Sequence, residues 1–186
     1  ESTETSGVVT AAIAGELGLS PGTRVVGGGA DNAAGAVSSG VVTVGRLQSS
    51  IGTSGTMLTP TQEPCVETEM RLHTFCHCVP DQWYVMGTIL SAGDSLRWLR
   101  NTLGNQHSYD SLIYEAESVG VGADGLAFLP YMAGERTPHN DSNARGVFFG
   151  LHLGHLPGHL TRAVLEGVCF ALRDSFELIR TLGLSI

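Results

Sequence analysis

The sequence predicts an α/β domain, and three features carry that prediction. Short β-type runs come early, at 24–26, 46–51 and 56–58. Later segments, 91–103 and 159–182, place apolar residues at helical spacing. Glycine and proline punctuate the boundaries between them.

Taken in order, residues 8–17 carry Val8, Val9, Ala12, Ile13 and Leu17 at helical spacing, and Gly18 ends the run. Pro21-Gly22 turns the chain into a strand at 24–26. Gly27-Gly28-Gly29-Ala30-Asp31 is a Gly-rich turn leading into a small-residue helix over 32–39. The runs 46–51 and 56–58 flank Gly52-Thr53-Ser54-Gly55 as a hairpin, and Pro60 to Pro64 reads as a loop. Strands at 73–79 and 83–86 surround Pro80-Asp81. The helix at 91–103 aligns Leu96, Leu99 and Leu103, and Gly104 stops it. Ser108 caps a further helix carrying Leu112, Ile113, Ala116 and Val119. A short buried strand is expected at 126–129, then a polar loop at 130–146 of a length that usually serves a function. In 159–182, Leu165, Val168, Leu172, Phe176 and Ile179 keep helical spacing up to Gly183.

The totals narrow the function. A chain of 186 residues makes one domain with a real core. Apolar residues at 42% and charged residues at 15% describe a folded chain, not a disordered one. Ten Lys plus Arg against 18 Asp plus Glu give a formal charge of −8, with the basic residues scattered. That argues against a nucleic-acid partner. No run of about 18 apolar residues suggests a membrane span, and no signal pattern opens the chain. The first residue is Glu1, not Met, so the native N-terminus is expected to lie elsewhere. Cys65, Cys76, Cys78 and Cys169 form no disulfide framework, and a reduced, cytoplasmic protein is expected.

Four groups of residues carry candidate chemistry. Asp31 sits where a helix begins, and a carboxylate there is stabilised by the helix dipole. One reading makes it an N-cap. The other makes it a general base, since the glycine triplet lets a ligand approach the backbone and a plain cap has no need of it. Asn32 either orients the same substrate or only fills the first helical turn. Gly52-Thr53-Ser54-Gly55 is either an ordinary hairpin turn or an anion nest of amides and hydroxyls for phosphate. There is no G-x-x-x-x-G-K-[ST], and the Gly27 turn is not a G-x-G-x-x-G, because Asn32 fails the last position. His73, Cys76, His77 and Cys78 offer four metal-type ligands in six residues. Strand alternation places His73, Phe75 and His77 on one face and Thr74, Cys76 and Cys78 on the other, and a buried strand is the favoured reading over a metal site. Finally, Glu135, Arg136 and Asp141 lie in Gly134-Glu135-Arg136-Thr137-Pro138-His139-Asn140-Asp141, which is either solvated surface or the lining of a cleft.

These pieces, in this order, resemble the FGGY carbohydrate kinases, and within them the xylulokinase group. GTRVVGGGADNAAGAVSSGVV followed by SSIGTSG carries the first match. LPYMAGERTPHNDSNARGVFFGL and HLTRAVLEGVCFALRDS carry the second, with Gly146, Phe148, Gly150 and Leu151 and then His159, Leu160, Ala163, Val164, Leu165 and Glu166 in signature positions. LHTFCHCVPDQWYVMG and LSAGDSLRWL are also similar to xylulokinase. The resemblance implies an RNase H-like domain of the actin, hexokinase and sugar-kinase ATPase superfamily. It implies that residues 1–186 are an incomplete C-terminal, nucleotide-binding domain. The N-terminal sugar-binding domain and the Gly-rich adenosine loop beyond Ile186 would lie outside it. Asp31 is then the base, Asn32 a sugar contact, and Gly52, Thr53, Ser54 and Gly55 the phosphate site, with the 134–141 loop lining the cleft. ATP and Mg2+ are the implied cofactors, and a small sugar the partner. The reaction is phosphorylation of a ketose, D-xylulose above ribulose, gluconate or glycerol. The isolated chain would be inactive, a non-catalytic nucleotide-binding or metal-binding domain being the other reading. Ala30 departs from the family's run of three glycines directly before the Asp. A sheet missing its last strands would expose apolar surface, so marginal stability or self-association is expected, with a homodimer open to it.

Overall fold

The computed structural model describes residues 1–104 and 107–186. Its centre is a four-stranded antiparallel sheet of β3 (Gln48–Ile51), β4 (Gly55–Thr61), β5 (His73–Cys76) and β6 (Trp83–Ile89) in the order β3-β4-β6-β5. Alternation along β4 and β6 sends side chains to two different layers. Leu58, Tyr84 and Met86 pack under the helix α2 (Asp31–Ser38), whose Ala33 and Ala36 allow close approach. Met57 and Ile89 face Val168, Ala171 and Leu172 of the long helix α5 (Pro157–Arg180), and Val85 faces Leu178 and Ile179 further along it. The sheet is thus sandwiched between a short small-residue helix and a long one.

α5 begins at Pro157, where a missing N–H costs nothing. Its outer face is supported by Arg162 on Glu166 (2.6 Å) and Arg180 on Glu177 (3.0 Å). A second core lies at its first half. There Ala163 and Val164 meet Leu99 of α3 (Gly93–Leu103) and Phe128 of β7 (Ala127–Leu129). β7 pairs with β8 (Val147–Phe149), and α4 (Tyr109–Glu117) lies against the start of α5, where Gly158 abuts the Glu115 carbonyl. Ser108 caps α4 as expected, in a reciprocal bond with Ser111.

Several elements differ from the sequence reading. The first apolar run divides into β1 (Thr5–Val8), paired with β2 (Arg24–Val26), and α1 (Ala11–Leu17), because Thr10 caps the helix and ends the strand. β4 runs through Pro60. β3 stops opposite Leu58, so Pro60 has a strand on one side only, where a proline is tolerated. β5 is an edge strand with Phe75 and Cys76 exposed, which corrects the buried-strand reading. In β7 only Phe128 is buried. β8 falls in a stretch read only for its family pattern; three residues before Gly150 give too short a run to read as a strand.

Candidate functional site

The Gly-rich turn is anchored on the chain's first residues. The Gly27 and Gly28 amides donate to the Glu4 and Ser2 carbonyls (3.1 and 3.0 Å), and Gly28 adopts φ 73°. Gly29 has no room for a side chain, because the Cys78 thiol fills the space a Cβ would take. Ala30, not Asp31, is the N-cap of α2, and no side chain caps that end. The cap reading of Asp31 is therefore corrected: Asp31 is the first helical residue. Among the described residues its exposed carboxylate accepts only from the Asn32 amide (2.8 Å) and the Asn32 side chain (3.4 Å). The phenol of buried Tyr84 is pushed up first by burial and then by the Asp31 charge.

The turn at 52–55 is the second part. Its carbonyls point inward and cap α3: the Ala92 and Asp94 amides donate to the Thr53 carbonyl (2.9 and 3.2 Å), and the Gly93 amide to that of Gly52 (2.9 Å). The Ser54 hydroxyl donates to the Leu90 carbonyl (3.2 Å). Among the described residues, nothing accepts from the Thr53 and Ser54 amides or from the Thr53 hydroxyl. Three free donors on one tight turn suit an anion. Beside it Ser91, Asp94, Arg97, Trp98, Asn101 and Met132 line a cleft of about 390 Å³. The docking depends on Gly93, whose Cβ would stand 2.6 Å from the Gly52 carbonyl oxygen. Gly93→Ala is expected to push the turn away from α3 and destabilise the fold by about 1–3 kcal/mol. Thermal melts of wild type and variant check this.

The loop at 134–141 completes the sheet where β5 has ended. The Thr137 amide donates to the Thr88 carbonyl (3.0 Å), and the Thr137 hydroxyl accepts from the Thr88 amide (3.0 Å) while donating to the Arg71 carbonyl (2.6 Å). Arg136 and Asp141 are exposed, but Glu135 is only 2% exposed and lies beneath the loop. Its Oε1 accepts from the Leu90 amide (2.9 Å) and the Arg136 amide (2.8 Å), and its buried Oε2 has no partner among the described residues. Burial pushes the Glu135 carboxyl above its ordinary value, against the opposing pull of those two amides and Arg136. A raised value in the fold means that stability is highest below the unfolded value of 4.5 and is lost as pH rises through the folded one. Glu135→Gln is therefore expected to melt close to wild type below that value and above it at about pH 7. Thermal melts at both pH values check the crossover.

The metal-type cluster at 73–78 is dispersed. His73, Phe75 and His77 share one face, ring to ring with one another or with Tyr84 (5.6–6.0 Å). Past Cys76 the strand has ended, so Cys78 turns to that side too, under Gly29. Burial lowers the pKa of both histidines. Among the described residues, only Asp124, His152 and His155 have metal-like spacing. Each of those two rings accepts a backbone N–H at Nδ1, from Gly154 (3.0 Å) and His152 (3.1 Å). The proton of the neutral ring then sits on Nε2, the atom turned to Asp124. These are hydrogen-bond donors, not ligands. An apolar cavity of about 210 Å³ between α5 and β7 has one carboxylate, Glu166, already held by Arg162 and the Gly122 amide.

The structure thus joins the 52–55 turn, the start of α3 and the 134–141 loop through Leu90. Asp31 makes no hydrogen bond or ion pair to the turn among the described residues. Residues 47–184 match the model of the C-terminal domain of the FGGY family of carbohydrate kinases. The chain belongs to the FGGY family. The matched residues take in the turn and the loop and begin after Asp31. Xylulose kinase of Staphylococcus epidermidis is 44% identical over 177 residues, 95% of this chain and 36% of that protein. Gluconokinase of Bacillus subtilis is 34% identical over 175 residues, 88% of this chain and 34% of that protein. The crystal structure of xylulose kinase from Rhodospirillum rubrum superposes with a TM-score of 0.86 at 34% identity, covering 98% of this chain and 37% of that one. The fold is therefore that of the actin, hexokinase and sugar-kinase ATPases, in part. The chain spans little more than a third of the length of these relatives. Among its described residues no helix is long and apolar enough to cross a membrane.

Two parts of this FGGY site were missed in the sequence: the start of α3, and Leu90 as the joint. The signal for the first was a glycine directly before Asp94-Ser95 in a predicted first turn.

Proposed function

We propose that this chain forms the nucleotide-phosphate half of a kinase that transfers the γ-phosphoryl group of ATP to a primary hydroxyl of D-xylulose. The observation that carries the proposal is the 52–55 turn, with its Gly52 and Thr53 carbonyls spent on α3 and its Thr53 and Ser54 amides free among the described residues. The nucleotide phosphates sit on these donors and the rest of the nucleotide in the adjoining cleft. Asp31 takes the proton of the sugar hydroxyl as its oxygen attacks phosphorus, and Asn32 contacts the sugar. The exposure of the Asp31 carboxylate, held among the described residues only by Asn32, leaves it free to do so. Mg2+ characteristically enters with the phosphates, held by one or two carboxylates and waters. Asp94 lines the cleft but is paired with Arg97, and Asp31 makes no bond to the turn among the described residues, so the residues present do not build a Mg2+ cage.

The relatives' names favour xylulose, and the gluconokinase likeness favours gluconate as the second reading. The isolated chain is proposed to be inactive, with the sugar domain outside it. A coupled ADP-release assay of the intact enzyme over D-xylulose, L-xylulose, ribulose, gluconate and glycerol decides. Highest kcat/KM on D-xylulose supports the proposal; highest on gluconate keeps the mechanism and replaces the substrate. Sugar-dependent ADP release by residues 1–186 alone would refute the claim of inactivity.

A further inference from the structure

We infer that Glu135 is a positioning residue that sets the phosphate turn from beneath the 134–141 loop, through Leu90. The inference rests on the proposed role of that turn. Leu90 is held from both sides of its backbone. Its amide donates to Glu135 Oε1 (2.9 Å), and its carbonyl accepts the Ser54 hydroxyl (3.2 Å). Two residues on, Ala92 donates to Thr53, the residue carrying two of the three free donors. A shift of the Glu135 carboxylate is therefore transmitted to the anion-binding turn by two hydrogen bonds and one residue of backbone.

Glu135 itself is fixed. It is 2% exposed, and its own backbone pairs with Asp141 in both directions (2.8 Å each). Next to it Thr137 is fully buried and bonded to Thr88 and Arg71. A buried carboxyl is a costly choice for a surface loop. Here it supplies what an apolar residue cannot: one oxygen that accepts two amides at once, Leu90 and Arg136. The other oxygen, Oε2, takes no part, so the role needs an acceptor oxygen and no charge.

Hydrogen exchange and steady-state kinetics on the intact enzyme test this with Glu135→Ala, Glu135→Gln and Ser54→Ala. Glu135→Ala is expected to speed exchange in peptides spanning 50–58 and 90–96 and to raise KM for ATP roughly tenfold. KM for the sugar stays as in wild type. Glu135→Gln, which keeps Oε1, restores both readouts. Ser54→Ala, which cuts the relay at its other end and removes no core atom, speeds exchange at 90–96 even if Glu135→Ala fails to fold. Exchange unchanged at 50–58 in Glu135→Ala overturns the inference, as does a Glu135→Gln enzyme as impaired as Glu135→Ala. A wild-type enzyme that transfers phosphate to no sugar sinks the proposed function instead, while exchange still decides the relay.

Discussion

Replacing Asp31 with alanine in the intact enzyme is expected to lower kcat by roughly 10²–10⁴-fold, the usual worth of a positioned general base. The fold should not change. The Asp31 side chain is exposed and, among the described residues, bonds only to Asn32, and Ala30 holds the cap position, so neither packing nor capping is lost. Nucleotide affinity should also hold, since Asp31 bonds to none of the turn residues that carry the free Thr53 and Ser54 donors among the described residues. The expected signature is a loss in kcat with KM for ATP and the melting temperature unchanged. Substantial activity in this variant removes Asp31 as the base and leaves the phosphate turn standing.

The largest stability effect is expected at Gly167. α5 crosses β7 so closely there that an added Cβ would overlap the Phe128 carbonyl oxygen, with the carbonyl carbon 3.0 Å away. Both sides of that contact are backbone, so no side chain can swing clear. Gly167→Ala is expected to destabilise by about 1–3 kcal/mol, net of the gain of about 1 kcal/mol from putting alanine in a helix. For a domain of this size that is a fall of several degrees in melting temperature. Gly15→Ala is the control. It lies in α1 with nothing within 4 Å of its Cβ position, so the variant should be slightly stabilised. If both variants melt alike, α5 and β7 do not pack as described.

The long helix, the capped helix at Ser108 and the hairpin at 52–55 were legible because each rests on local chemistry: helical spacing, a serine cap, glycines between β-type runs. The turn's partner was not legible. Gly93 meets Gly52 across 41 residues of chain, and no spacing rule reports such a contact. Asp31 shows how a shift of one residue changes a reading, since moving the cap to Ala30 frees the carboxylate. Glu135 was misplaced for a general reason. An ionisable residue in a polar loop reads as surface, and its burial follows from two amides supplied by the fold, one of them 45 positions away. Ile51 on the free edge of β3 and Phe170 on α5 are exposed.

The most direct measurement is identification of the product made by the intact enzyme from MgATP and D-xylulose, by phosphorus NMR, beside its Asp31→Ala variant. A phosphate ester on the C5 primary hydroxyl, formed by wild type and not by the variant, is the predicted result. ADP released without any sugar ester, or the same ester formed at the same rate by the variant, would contradict it.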